Sequence, residues 1–240
     1  MKLDILVIAV HPDDAELACS GTILKHVALG KKVGIVDLTR GELGTRGTEE
    51  TRAEEAETSA KILGLQIREN LGFRDGFFTN DEHHRMEVLK MVRKYKPEII
   101  IANALTDRHP DHGRAGDLVN DAVFLSGLQK IETIVDGEKQ ASHRPRLFLQ
   151  FIQDTYIKPD IIVDISEHID KKVESIKAFK TQFYVPGAKV DGLETYISSP
   201  EFFDSILGRA REFGKSIGAG YGEGFTSRKL LGVDNLFNLK

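Results

Sequence analysis

The chain has 240 residues, which suits one α/β domain, with 40% hydrophobic and 29% charged residues. A net charge of −4 without a basic block or arginine stripe argues against a nucleic-acid partner, and the longest apolar runs are far too short to span a bilayer. A single cysteine, Cys19, excludes an intramolecular disulfide and fits the cytoplasm, as does an N-terminus without the unbroken apolar segment of a signal peptide. Residues 5–10 are a continuous apolar run, the pattern of a parallel strand buried on both faces. Residues 15–29 read as a helix, with Leu17, Ile23, Leu24, Val27 and Ala28 near helical spacing and Gly30 as its stop. Residues 33–38 form the second strand, and 39–47 a loop rich in Gly, Arg and Thr. Thr48 caps an acidic helix that reaches Leu63 and stops at Gly64. A helix over 81–95 ends before Pro97, a strand follows over 98–102, and 112–125 is helical. Residues 147–152 and 161–165 are later strands, and Ser166 caps a helix to about Lys180. Residues 184–196, with Pro186, Gly187 and Gly192, read as a loop. Residues 200–217 are a last helix with Pro200 in its first turn, and 218–224 is loop or strand edge. This alternation predicts an α/β fold, a three-layer, Rossmann-like, mostly parallel sheet with helices on both faces. It forms a single domain over 1–240, with a Gly-rich tail from about 218.

Two clusters carry the chemistry: His11-Pro12-Asp13-Asp14 and His109-Pro110-Asp111-His112. Each comes at or just after the end of a buried strand, at the sheet edge where open α/β sheets bind ligands. His11 and Asp14 are three apart across a strand-to-helix turn, so their side chains can converge. His109 and His112 repeat that spacing. Imidazole and carboxylate are good zinc ligands, and three of them leave a position open for water. The clusters thus supply His11, Asp14 and His112 as a ligand set, with Asp13 and His109 uncommitted. The plainer alternative makes Asp13 or Asp14 a helix cap. A buried structural role for the second cluster is weaker, because Asp107, Arg108 and Asp111 make that segment costly to bury.

With these motifs the chain resembles the PIG-L/LmbE-like zinc-dependent N-acetylglucosamine deacetylases. The resemblance runs from residue 3 to about 182 and includes Ser20-Gly21-Thr22, Asp37 to Glu42, and Thr45-Arg46-Gly47-Thr48 leading to Arg52. The stretch from Tyr221 to Phe225 is similar to the subfamily that deacetylates N-acetylglucosaminyl malate in bacillithiol biosynthesis. The family's first motif usually runs Ala-His-Pro-Asp-Asp-Glu. Here Val10 stands before His11, and Ala15 separates Asp14 from Glu16. The resemblance implies zinc at His11, Asp14 and His112, an amino-sugar conjugate as substrate, and a homo-oligomer, often a hexamer. Iron(II) and other divalent metals suit the same ligands.

In such a site Asp13 is the candidate general base and His109 the candidate oxyanion stabiliser. Asp111 is a candidate to orient His109 or His112. Arg52 and Arg108 match positions the family places near the sugar and its aglycone, and a guanidinium fork suits a dicarboxylate such as malate. Arg52 also reads as an exposed helical arginine near Glu49 and Glu55. Glu42 and Arg46 either line the pocket or hold the loop after the second strand. His83-His84 read as a solvated helix face, Cys19 as packing, and Phe77-Phe78 as pocket wall or core. Two readings from other classes compete. A nucleotide-binding module is disfavoured because the first strand ends in His-Pro-Asp-Asp and not in a Gly-x-Gly-x-x-Gly turn. A metal- or sugar-binding protein without turnover has no use for the spare acid Asp13. Within the enzyme class, the alternative substrates are an inositol conjugate or a chitin fragment.

Overall fold

The computed structural model describes residues 1–187 and 192–239. Its elements run β1 (Ile5–Ala9), α1 (Asp14–Ala28), β2 (Val33–Thr39), α2 (Glu49–Leu63), β3 (Ile67–Phe73), α3 (Glu82–Tyr95), β4 (Ile99–Ala102) and α4 (Pro110–Ser126). A short hairpin, β5 (Ile134–Val135) and β6 (Glu138–Lys139), precedes β7 (Leu147–Phe151), β8 (Ile161–Asp164), α5 (Ile169–Lys177), α6 (Pro200–Ser216) and β9 (Gly222–Thr226). Seven strands form one sheet in the order β3-β2-β1-β4-β7-β9-β8. β1 pairs in parallel with β2 on one side and β4 on the other. The chain therefore winds outward to β3 and returns across β1 to β4. That reversal opens a crevice at the C-terminal ends of β1 and β4.

The period of two along β1 divides the core between its faces. Leu6, Ile8 and Val10 pack in one cluster with Val88, Leu89 and Val92 of α3 and Leu118 and Val119 of α4. Ile5, Val7 and Ala9 pack in the other with Ala15, Cys19 and Ile23 of α1. Every residue of α1 from Asp14 to Leu24 is buried. Its outer side is covered by a third cluster in which Leu17 meets Ala56 of α2, Ile176 of α5, and Phe202 and Ile206 of α6. Among the described residues no helix is long and apolar enough to cross a membrane.

The architecture matches the sequence reading, with four local differences. β3 is an edge strand with only its last residue buried, and Arg68-Glu69-Asn70 erases the alternation that marks a strand. β9, expected as loop or strand edge, is buried throughout and runs antiparallel between β7 and β8. Its glycines allow that insertion: a Cβ on Gly222 would sit 2.6 Å from Ile162 Cγ2, and one on Gly224 2.8 Å from Phe213 Cε2. Ser166 does not cap α5; its hydroxyl donates to Asp164 and accepts from the Gly220 and Tyr221 N–H groups. α4 starts at Pro110, with His109 as its N-cap, two residues before the expected start. Part of the loop expected over 184–196, residues 188–191, lies outside the described residues.

Candidate active site

His11 leaves the end of β1, and Asp13 and Asp14 open α1. Asp13 is the N-cap residue but makes no side-chain cap bond, and its φ of 137° is a strained conformation for a residue with a Cβ. The turn is instead held by Asp14, whose Oδ2 accepts the His11 N–H at 3.0 Å. β4 ends beside β1, and Asn103 joins the two: its Oδ1 accepts the Val10 N–H at 3.0 Å and its Nδ2 donates to Asp14 Oδ2 at 3.2 Å. His112 then enters from the first turn of α4.

The Asp14 carboxylate lies between two imidazoles. His11 Nδ1 is 3.5 Å from Asp14 Oδ2, and His112 Nε2 is 3.3 Å from Asp14 Oδ1. Gln153 Nε2 adds a hydrogen bond to Asp14 Oδ1 at 2.6 Å. The outward ring nitrogens meet two further carboxylates: His11 Nε2 lies 2.9 Å from Asp75 Oδ1, and His112 Nδ1 lies 2.7 Å from Asp107 Oδ2. Carboxylates behind histidines fix the ring orientation and raise ligand basicity, the usual arrangement around a histidine-bound metal. Burial opposes charge on His11, but the hydrogen bonds of Asp14 and Asp75 prevail and lift its pKa to about 10. Burial likewise opposes charge on His112, and the Asp14 charge with the Asp107 hydrogen bond lifts it to about 9. The centre therefore draws positive charge into a buried place, a demand that a divalent cation meets as well as protons do. Nitrogens of His11, His109 and His112 lie within 4.8 Å of one another, as do donor atoms of His11, Asp75 and Asp111. Imidazoles with a carboxylate are the donor set of catalytic zinc.

Asp13 points elsewhere, as its place between the ligand candidates requires. Arg52 Nη2 donates to Asp13 Oδ2 at 3.0 Å and to the Pro12 carbonyl at 2.8 Å. Both side chains are buried, and Asp13 is among the residues lining a cavity of about 350 Å³. Burial pushes the Asp13 carboxyl up to about 7, against the pull of Arg52. Arg52 Nη1 also reaches the Gly41 carbonyl at 3.3 Å. Gly41 has φ +67° and leaves the guanidinium its space, since a Cβ there would lie 2.2 Å from Nη1. His109 lines the same cavity. Its Nδ1 accepts the Asp111 N–H at 3.3 Å, so a neutral ring carries its proton on Nε2. Burial and the neighbouring His11 and His112 charges lower its pKa.

The remaining candidates divide. Arg108 lines the cavity, pairs with Asp154 at 2.7 Å, and lies over the Tyr196 ring at 4.7 Å. Arg52 lines it as the partner of Asp13, not as an exposed helical arginine. Glu42 accepts the Asp75 N–H at 2.7 Å, and Arg46 accepts Gln182 Nε2 on its carbonyl at 2.7 Å. Both thus hold loops and stand outside the residues lining the cavity. Asp111 spends Oδ2 on the Gly76 N–H and Oδ1 on Arg114, so its carboxylate bonds to neither His109 nor His112; its backbone N–H alone reaches His109, and Asp107 holds His112. Glu16 is fully buried against Ser59 and Arg68. Sequence reasoning missed Asp75, Asp107, Asn103 and Gln153. Only Asp107, five residues before His112 in the loop that leads into α4, carried a local signal.

Comparison with known proteins matches this arrangement to a family. The GlcNAc-PI de-N-acetylase (PIG-L) family pattern matches residues 6–123, which span both clusters. Diacetylchitobiose deacetylase of Thermococcus kodakarensis is 31% identical over 192 residues, covering 75% of this chain and 70% of that protein. A probable N-acetyl-α-D-glucosaminyl L-malate deacetylase 2 of Bacillus anthracis is 26% identical, covering 75% and 81%. The crystal structure of a conserved protein from Thermus thermophilus superposes with a TM-score of 0.84 at 35% identity, covering 97% and 98%. Deacetylases of this kind are amidohydrolases that cleave N-acetyl groups from glucosamine-type substrates, and this chain belongs to their PIG-L/LmbE-like family.

Proposed function

We propose that this chain, acting as one catalytic domain, removes the N-acetyl group of an N-acetylglucosamine conjugate with a zinc ion held by His11, Asp14 and His112. The observation that carries the reading is the Asp14 carboxylate set between His11 Nδ1 and His112 Nε2, with Asp75 and Asp107 behind the two rings. A divalent ion held there supplies Lewis acidity, which polarises an amide carbonyl and acidifies water. Asp13 takes a proton from the attacking water and later passes one to the departing amine. Arg52 fixes the Asp13 carboxylate toward the cavity through the bond at 3.0 Å. His109 offers its Nε2–H to the carbonyl oxygen as negative charge gathers on it.

For the substrate we propose N-acetylglucosaminyl L-malate, the bacillithiol precursor, handled in the cytoplasm. Support comes from the similarity to the Bacillus anthracis protein and from the arginines lining the cavity. The similarity to the diacetylchitobiose deacetylase makes a chitin fragment the second substrate to test. The experiment is acetate release by the purified protein from N-acetylglucosaminyl L-malate and from N,N′-diacetylchitobiose, with chelator and with added zinc. Zinc-dependent release from the malate conjugate is expected. Release from chitobiose alone would replace the substrate, and release untouched by chelator would refute the metal.

A further inference from the structure

Three arginines line the cavity at the candidate active site: Arg52, Arg108 and Arg209. Two are neutralised, Arg52 by Asp13 at 3.0 Å and Arg108 by Asp154 at 2.7 Å. Arg209, on α6 one turn beyond Ile206, has no side-chain hydrogen bond or ion pair among the described residues, although it is half-buried. The carboxylates that act on it without pairing are Asp154, Asp107 and the exposed Glu212 of its own helix, and the two that belong to the cavity side are already engaged. Asp154 holds Arg108 and accepts from the Tyr196 hydroxyl, and Asp107 holds His112 and the Thr155 N–H. The same wall is otherwise apolar on the α6 side, where Phe202 and Ile206 line the cavity with Ile197. A guanidinium withdrawn from water without a counter-ion is costly, and the cost is recovered when a ligand brings the anion.

We infer that Arg209 is the specificity-determining residue of this pocket and takes a carboxylate carried by the aglycone, so that an anionic glucosaminide is selected over a neutral oligosaccharide. The inference rests on the deacetylase reading above. The planar fork of arginine matches a carboxylate with two parallel hydrogen bonds, whereas a neutral sugar offers it only hydroxyl oxygens. Burial already lowers the Arg209 pKa against the distant pull of Asp154 and Asp107, which fits a cation that lacks a contacting partner. Arg108 stays committed to Asp154 in this scheme and shapes the wall through Tyr196.

The test compares wild type with Arg209→Met and Arg209→Lys on N-acetylglucosaminyl L-malate and N,N′-diacetylchitobiose. Arg209→Met is expected to lower the ratio of kcat/KM for the anionic over the neutral substrate by about 10- to 100-fold, with the loss in KM and not in kcat. Arg209→Lys, which keeps the charge and loses the fork, is expected to fall between. A fall of both substrates in equal proportion, or a loss confined to kcat, would overturn the inference. Calorimetric titration of L-malate into each protein decides the matter without turnover. Should wild type hydrolyse neither substrate, the substrate reading fails alone if malate binds wild type and not Arg209→Met. Equal binding to both proteins, or none to wild type, refutes the role of Arg209.

Discussion

Arg52 and Asp13 come from different helix ends, 39 positions apart, and meet in a buried ion pair at 3.0 Å beside the cavity. The pair gives Asp13 a fixed direction where its strained backbone alone would not. Asp13→Asn keeps the shape and removes the proton acceptor. It is expected to lower kcat by about 10²- to 10⁴-fold while zinc content stays at the wild-type level. Steady-state rates with metal analysis check this; a wild-type rate would remove Asp13 from the role of base.

Gly41 offers a test of the same pair from outside it. Gly41→Ala sets a methyl group where Arg52 Nη1 lies and asks alanine to hold φ +67°. Displacement of the guanidinium is expected to reduce kcat at least about tenfold, since small misplacements of catalytic groups are amplified in rate. Undiminished activity in Gly41→Ala would show that the position of Arg52 is not used.

Asp75 and Asp107 stand behind the two histidines. Asp75→Asn and Asp107→Asn are each expected to weaken zinc affinity by about 10- to 100-fold. Competition with a chromophoric chelator measures it. Unchanged affinity in both variants would mean that the ring nitrogens they hold are not set for a metal.

Lys172 and Glu223 form a buried pair at 2.8 Å. Lys172 Nζ donates to the Glu16 and Leu17 carbonyls of α1, and Glu223 accepts the Gly21 and Thr22 N–H groups of the same helix. Removing one member leaves the other charge buried. Lys172→Met is expected to cost about 3–5 kcal/mol. Chemical denaturation of Lys172→Met, Glu223→Leu and the double variant checks this. The double variant should recover part of the loss, and simple additivity would deny the coupling.

Both His/Asp clusters are readable from sequence because each sets two candidate site residues three apart behind an apolar strand, so local chain geometry alone brings each pair together. β1, β2 and β4 are readable for a related reason: burial on both faces leaves unbroken apolar runs. β3 is not, because an edge strand tolerates Arg68-Glu69-Asn70, and Asp75 is hidden with it in the turn that follows. β9 is hidden by Gly-Glu-Gly, where packing favours absence of side chains over hydrophobicity. Arg52 shows a different limit. Its helix and cap are local and readable, but its partner is Asp13 across the fold, and no local pattern reports an ion pair at that separation.

The antiparallel insertion of β9 has a consequence for the order of assembly. Among the described residues β8 hydrogen-bonds within the sheet only to β9, and β9 is the latest strand along the chain. During synthesis the sheet can be built from β3 through β7, but β8 has no edge to join until Thr226 has emerged from the ribosome. Glu223 arrives with that same strand and completes the hold on α1, the helix that begins at Asp14. The residues of the candidate catalytic centre, from His11 to Gln153, are thus all made before the strand that braces α1, so a nascent chain stopped before β9 would carry both His/Asp clusters without a settled scaffold to aim them.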